Sequence, residues 1–95
     1  MTFPFARISE LQRFDGQTAT VRGWVTHLRS SGKVAFVVVR DGSGILQCVL
    51  VKNAVPPETW SRFAELTQET SVAVTGAVRA DARAPGGYEL GVSEL

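Results

Sequence analysis

The 95 residues are predicted to form a single domain, residues 1–95, which can bury one modest hydrophobic core. A hydrophobic fraction of 44% with 20% charged residues excludes the composition typical of disorder. Ten basic and nine acidic residues give a net charge of +1, so any polyanionic partner must be met by a local patch of charge.

The first predicted element is a short amphipathic helix. Ile8, Leu11 and Phe14 recur at helical spacing, with Ser9 as the candidate N-cap. Asp15 and Gly16 then form a dipeptide that is typical of a turn. The helix is therefore expected to end before residue 15.

Three strands follow, because the chain becomes rich in β-branched residues that are interrupted by glycine-containing breaks. The predicted strands span residues 17–29, 34–40 and 45–52, an arrangement that favours an antiparallel meander. Gly23 interrupts the long first strand and is expected to let it bend between two halves of a sheet.

The second half predicts one helix and two more strands. Pro56, Pro57 and Glu58 suit the first turn of a helix, where proline loses no hydrogen bond and a carboxylate meets the positive end of the dipole. The apolar face of this helix is predicted from residues at helical spacing: Trp60, Phe63, Ala64 and Thr67. The last strands are predicted at residues 72–79 and 88–92, with a polar loop at 80–87.

The resulting order is three strands, a helix and two strands. This order is typical of an all-β, five-stranded Greek-key barrel of the OB type, with the helix between the third and fourth strands. Barrels of this type bind oligonucleotides on one open face.

Alternation along the strands separates core positions from outward positions. Two sets of residues are predicted to face the core: Ala35, Val37 and Val39 on the second strand, and Leu46, Cys48 and Leu50 on the third. Phe36 and Arg40 then share the opposite face of the second strand, and Gln47 shares that face on the third.

An aromatic ring, an amide and a cation on one sheet face form a pattern that recognises single-stranded nucleic acid. Phe36 can stack on a base, Gln47 can bind a base edge, and Arg29 at the end of the first strand can meet a phosphate. Taken singly, each residue also has a structural explanation, since strand aromatics are often buried and a strand glutamine or arginine is often simply solvated.

The other chemistry-bearing residues favour structural roles. His27 has no partner at a spacing suited to catalysis or metal binding, which favours a structural or weakly RNA-facing role. Cys48, the single cysteine, is expected to act as a small buried hydrophobe. Trp24 is expected to pack against the core. No zinc site, disulfide or membrane span is predicted, so the sequence fits a reducing, cytoplasmic compartment.

At these residues the chain resembles the N-terminal domain of class IIb aminoacyl-tRNA synthetases, which charge tRNA with aspartate, asparagine or lysine. The resemblance rests on VRGWV at residues 21–25, on Arg29, on FVVVRDG at 36–42 and on GILQ at 44–47. It implies that Phe36 stacks on the middle anticodon base, a uridine in aspartate and asparagine tRNAs. It also implies that Gln47 reads the edge of that base and that Arg29 contacts the anticodon loop.

The second half is similar to bacterial asparaginyl enzymes in particular. The similarity is carried by LTQET at residues 66–70, by VR at 78–79 and by RAPGGYEL at 83–90. It implies that Glu89 lies near the first anticodon base and that Arg83 belongs to a loop contributing to specificity. Archaeal-type aspartyl enzymes share much of this pattern, so an aspartyl-type domain stays an alternative.

The resemblance implies a binding module of an asparagine–tRNA ligase, whose partner is the anticodon stem-loop of tRNA(Asn). No cofactor is expected in this domain, because ATP and Mg²⁺ would bind only in a catalytic class II domain, which the 95 residues are expected to lack. The chain alone is therefore not expected to be an enzyme; it is expected to be monomeric, with a homodimeric parent synthetase. The same residues also fit a general single-strand-binding OB protein or an engineered OB scaffold that binds a protein.

Overall fold

A computed structural model describes residues 5–81, 83–84 and 87–95. Ala82, Pro85 and Gly86 of the predicted specificity loop, and residues 1–4, lie outside the described residues. Five strands form the domain: β1 (Thr18–Ser31), β2 (Val34–Arg40), β3 (Ile45–Val51), β4 (Ser71–Ala80) and β5 (Tyr88–Glu94). One α-helix, α1 (Pro57–Phe63), lies between β3 and β4.

The strands close into a barrel in the order β1, β2, β3, β5, β4. All neighbouring strands are antiparallel except β3 and β5, which pair in parallel. The parallel pair closes the barrel by bringing the last strand beside the third. The predicted all-β, five-stranded OB barrel with one helix after the third strand is confirmed.

The long strand β1 belongs to two parts of the barrel. Its first half, Thr18 to Trp24, pairs with β4, and its second half, from Trp24 onward, pairs with β2. Gly23 lies at this transition, and a Cβ atom there would overlap the carbonyl oxygen of Arg40. Glycine is therefore required because two backbones approach closely.

The barrel interior is filled by the side chains that alternate inward along the strands. Every position that was predicted as core on β2 and β3 is fully buried, and Val21, Val25, Val74, Val78 and Leu90 complete the interior. Fully burying one such aliphatic side chain contributes about 1.5–3 kcal/mol. Cys48 is among the fully buried side chains, and burial raises the pKa of its thiol to about 12.

The N-terminal helix is a 3₁₀ helix over Ile8–Phe14, and it buries Ile8 and Leu11. The prediction that Ser9 caps this helix is wrong, because Arg7 holds the N-cap position and makes no side-chain cap. The carboxylate of Asp41 instead accepts a hydrogen bond of 2.8 Å from the backbone N–H of Ile8. A side chain distant in sequence thus satisfies a free amide at the start of the helix.

Helix α1 is shorter than its sequence pattern predicted. It ends at Phe63, after which i→i−3 backbone bonds replace the helical ones. The hydroxyl of Thr70 accepts a bond of 3.1 Å from the backbone of Thr67, which diverts the chain into a turn. Trp60, Phe63 and Leu66 pack against the core, whereas Ala64 and Thr67 are exposed, so that part of the predicted face is wrong.

Trp24 is exposed, so the expectation that it packs against the core is wrong. Its side chain points outward between the inward Gly23 and Val25, and 43% of the residue is accessible. Alternation along β1 determines this outcome, because Val21 and Val25 both face the interior.

Within the described ranges, no helix has the length and apolar character needed to cross a membrane. The same ranges contain no group of three or more histidine, cysteine or acidic side chains that could hold a metal ion.

Candidate nucleic-acid interface

Four of the five predicted site residues lie on the outer face of the barrel in adjacent strands. Arg29 of β1 pairs with Phe36 of β2, and Gln47 of β3 pairs with Glu89 of β5. The register between β2 and β3 places Phe36 opposite Val49, two positions from Gln47. The strand ladder therefore holds an aromatic ring, an amide and a carboxylate on one continuous surface.

Arg29 and Phe36 form a contact pair at one side of this surface. The guanidinium carbon of Arg29 lies 4.8 Å from the centre of the Phe36 ring, within the range of a cation–π interaction. Phe36 is half-buried and Arg29 is exposed. A planar cation and a π-face are thus presented together, a combination that suits a nucleobase and its phosphate.

The amide of Gln47 is available for an external partner. Gln47 is half-buried between Val38 and Glu89, the residues opposite it on the neighbouring strands. In the described part of the chain, its carboxamide takes part in none of the side-chain hydrogen bonds. It can therefore both donate to and accept from a base edge.

Glu89 is held by an ion pair that the sequence did not predict. Its Oε1 atom lies 2.9 Å from Nη2 of Arg79, and only 16% of its side chain is exposed. Arg79 lies opposite Glu89 in the β4–β5 ladder, and its guanidinium covers Gly91, where a Cβ atom would lie 3.1 Å from Cζ. The pair fixes the direction in which the Glu89 carboxylate points.

Arg83 stands at the rim and projects into solvent. Its side chain is 94% exposed, and its Nε atom lies 3.7 Å from Oδ1 of Asp81. The same Asp81 oxygen accepts a 2.9 Å hydrogen bond from the backbone N–H of Arg83. Asp81 thus shapes the local backbone, while the guanidinium of Arg83 is accessible to a phosphate.

These side chains surround one open groove of about 450 Å³. The residues that line it come from β2, β3, β5 and the loop between β4 and β5: Phe36, Gln47, Val49, Asp81, Arg83, Ala84 and Glu89. Its floor is partly apolar, and its charged side chains include both positive and negative groups. This favours selective recognition of a base over general attraction of polyanions.

Four of the five predicted residues therefore meet in the groove, and Arg29 adjoins it through Phe36. Sequence reasoning missed Arg79, Asp81 and Ala84 as members of the site or its support. A signal for Arg79 was present in the β4–β5 hairpin, because pairing Ala80 with Tyr88 across the loop places Arg79 opposite Glu89. His27 is exposed, and a ring nitrogen lies 3.3 Å from the hydroxyl of Thr26.

The barrel topology and the groove together define an OB-fold domain of the nucleic-acid-binding class. Residues 19–95 match the tRNA anticodon family, which is described as an OB-fold nucleic acid binding domain. The chain belongs to this family.

Asparagine–tRNA ligases are among the proteins most similar in sequence to this chain. The chain is 50% identical over 88 residues to that of Symbiobacterium thermophilum, covering 93% of this chain and 20% of the relative. It is 52% identical over 92 residues to that of Koribacter versatilis, covering 97% of this chain and 21% of the relative. The chain therefore spans about a fifth of the length of these relatives.

Solved structures give the same assignment of the fold. Asparaginyl-tRNA synthetase from Pyrococcus horikoshii, complexed with asparaginyl-adenylate, superposes with a TM-score of 0.86 at 41% identity, over 95% of this chain and 21% of that chain. An OBody, AM3L09, bound to hen egg-white lysozyme, superposes with a TM-score of 0.75 at 34% identity, over 86% of this chain and 81% of that chain.

Proposed function

We propose that this chain is the anticodon-reading domain of an asparaginyl-tRNA synthetase and that it binds the anticodon loop of tRNA(Asn). The observation that carries the proposal is the alignment of Phe36, Gln47 and Glu89 along one groove by the β2–β3–β5 ladder. Identity of about half to asparagine–tRNA ligases over most of the chain supports the choice of tRNA.

In this proposal Phe36 stacks on the middle anticodon base and the Gln47 amide binds the edge of that base. A uridine offers both an acceptor and a donor on its pairing edge, and a carboxamide can match both. Arg29 shifts from the ring toward a phosphate of the loop when the base enters. Stacking on one base contributes about 1–3 kcal/mol.

Glu89 is proposed to receive the first anticodon base. A carboxylate accepts hydrogen bonds and donates none, so it favours a base with N–H groups on its pairing edge, as guanine has. Arg79 orients that carboxylate before RNA arrives. Arg83 contacts the RNA backbone at the rim of the groove.

The proposed role needs no cofactor in this domain. ATP and Mg²⁺ belong to the catalytic domain of the parent enzyme, which attaches asparagine while this domain orients the tRNA. The chain by itself is proposed to be monomeric and to lack aminoacylation activity, the parent synthetase to be a homodimer, and the compartment to be the cytoplasm.

The competing functions differ in the RNA or the partner that they bind. An aspartyl-type domain would share the uridine but prefer the aspartate anticodon, and a general single-strand binder would prefer none. The likeness to an OBody bound to lysozyme favours a protein-binding scaffold as a second candidate. The higher identity to the ligases supports RNA binding instead.

Titration of the chain with anticodon stem-loops tests the proposal. We expect weak, salt-sensitive binding that favours the asparagine stem-loop over the aspartate stem-loop and over one with a scrambled anticodon. The logarithm of the binding constant should fall with the logarithm of salt concentration by about 0.7 per phosphate neutralised in the single-stranded loop. Equal affinity for all three RNAs, or binding indifferent to salt, would refute the proposal.

A further inference from the structure

In the described part of the chain, three exposed or half-exposed aromatic rings are each contacted by an arginine, and each of these pairs uses one residue of β1. Two of the pairs lie outside the groove: the guanidinium carbon of Arg22 is 4.1 Å from the centre of the Phe5 ring, and that of Arg40 is 5.5 Å from the Trp24 ring. The third pair is Arg29 with Phe36. We call these six residues the arginine–aromatic ribbon.

The ribbon is continuous with the groove. Trp24 lies directly opposite Arg40 in the β1–β2 ladder, and Arg40 is on the same outward face of β2 as Phe36. Phe36 and Arg40 are four positions apart, a distance of about 13 Å along a strand. Trp24 therefore lies on the same face as Phe36. A base stacked on Phe36 would not reach Trp24.

The geometry around Trp24 keeps its ring exposed and its arginine nearby. Arg40 is held by Glu69 at 2.9 Å, and Glu69 has a φ angle of 69°, a conformation that is rare for a residue other than glycine. The backbone of Glu69 is tied to β1, since its N–H donates to the carbonyl of Val25 at 2.6 Å. The strained backbone conformation of Glu69 therefore occurs where its carboxylate holds Arg40 beside Trp24.

We propose that Trp24 is a second base-stacking platform, which binds a nucleotide outside the three anticodon bases while Arg22 and Arg40 meet the adjacent phosphates. The inference rests on the proposed function, which supplies the RNA. RNA is favoured over a protein partner because Arg40 contacts the ring and Arg22 lies two residues away on the same face of β1. The ring also shares its sheet face with Phe36, an arrangement that suits a single strand.

The first test measures the fluorescence of Trp24. The chain has two tryptophans, so a Trp60→Phe variant leaves Trp24 as the single fluorophore. We expect the anticodon loop, as a linear oligonucleotide, and the complete stem-loop to quench Trp24, while a saturating anticodon trinucleotide does not. The matched control is a Trp24→Phe variant, in which the fluorescence of Trp60 should be unchanged by each RNA.

The second test measures affinity. Trp24→Ala should weaken binding of the stem-loop about 5- to 150-fold, the range that loss of one stacked base produces, and should leave trinucleotide binding unchanged. Trp24→Phe should retain most of the affinity because it keeps a π-face.

Glu69→Gln is expected to strengthen RNA binding, whereas Trp24→Ala is expected to weaken it. Because Glu69 offsets the charge of Arg40, its neutralisation should strengthen the contact of Arg40 with its phosphate and so strengthen stem-loop binding. The Phe36→Ala variant separates the ribbon inference from the proposed function. If Phe36→Ala weakens binding but saturating loop RNA leaves Trp24 fluorescence unchanged, the ribbon inference is wrong and the proposed function stands.

If neither Phe36→Ala nor Trp24→Ala changes binding of any RNA, both the ribbon inference and the proposed function are wrong. Fluorescence of Trp24 that changes with protein concentration in the absence of RNA would assign this face to a second copy of the chain and also overturn the inference. The fluorescence arm remains decisive even if Trp24→Ala does not fold, since it uses the native tryptophan.

Discussion

Arg79 and Glu89 form an ion pair of 2.9 Å across the β4–β5 hairpin, and Glu89 is the less exposed partner. The guanidinium rests over Gly91, where no side chain competes for the space. The Glu89 carboxylate in the groove is thus oriented by a residue that does not line the groove. This arrangement makes Arg79 a positioning residue for the base that Glu89 is proposed to receive.

Arg79→Gln is expected to relax recognition of the first anticodon base with little effect on the fold. The pair is largely exposed on the Arg79 side, so the free energy of unfolding should change by no more than about 1 kcal/mol. Discrimination between guanosine and adenosine at that position should fall as much as it does in Glu89→Gln, and the double variant should lose no more than either single one.

This effect is measured by titrating each variant with stem-loops that carry guanosine or adenosine at the first anticodon position. Arg13→Gln serves as the control for loss of a surface cation. Additive losses in the double variant would show that Arg79 acts independently of Glu89.

Gly23→Ala should destabilise the domain by about 1–3 kcal/mol, because the added methyl group overlaps the backbone of Arg40 where β1 changes partners. Chemical denaturation measures the change. The neighbouring Arg22→Ala, which removes only an exposed contact with the Phe5 ring, should change stability by no more than about 1 kcal/mol. Equal stability of Gly23→Ala and wild type would contradict the close approach of these strands.

Asp41 should contribute to acid sensitivity. Partial burial raises its pKa, but hydrogen bonds from the Ser43 hydroxyl and from backbone N–H groups, including that of Ile8, outweigh burial and hold the pKa below 3.8. Because the folded pKa is the lower one, the stabilisation is present above about pH 3.8 and is lost as pH falls through the folded value. Asp41→Asn should therefore be less stable than wild type at neutral pH, and the difference should shrink below that pH.

Thermal unfolding of both proteins from pH 7 down to pH 2 provides this comparison. A difference in stability that stays constant over the whole range would contradict an ionised, hydrogen-bonded Asp41 in the fold.

Cys48 should be protected from thiol reagents for as long as the barrel is folded. Burial removes access, and the raised pKa of about 12 leaves almost no thiolate at neutral pH. Labelling of wild type should begin only in the denaturant range where the domain unfolds. A second cysteine introduced at the exposed Ser61 should react at once in the native state, and equally fast labelling of Cys48 would show that the core is open.

The sequence predicted the strands and their inward faces well, because β-branched runs and two-residue alternation are local signals. The core positions Val37 and Cys48 were obtained in this way, as was the outward placement of Phe36 and Gln47. The same alternation, applied to β1, would have placed Trp24 outside. The expectation of packing rested on its position after Gly23.

What the sequence did not predict depends on contacts between distant segments. The parallel pairing of β3 with β5 brings Gln47 beside Glu89, and no local pattern indicates that pairing. The free amide of Ile8 at the start of the first helix is likewise satisfied by Asp41, 33 residues away. The end of α1 was missed because the Thr67–Thr70 turn competes with a helical pattern that continues past Phe63.

The central claim is that Phe36 and Gln47 read the middle anticodon base, and a four-way binding comparison tests it most directly. Wild type and Gln47→Ala are titrated with stem-loops that carry uridine or cytidine at that position, and melting of Phe36→Ala is measured alongside. We predict that Gln47→Ala weakens binding of the uridine loop and changes binding of the cytidine loop much less. Phe36→Ala should retain its fold and lose about 1–3 kcal/mol of RNA affinity. Unfolding of Phe36→Ala, or equal weakening of both RNAs by Gln47→Ala, would contradict the assignment of these residues to anticodon reading.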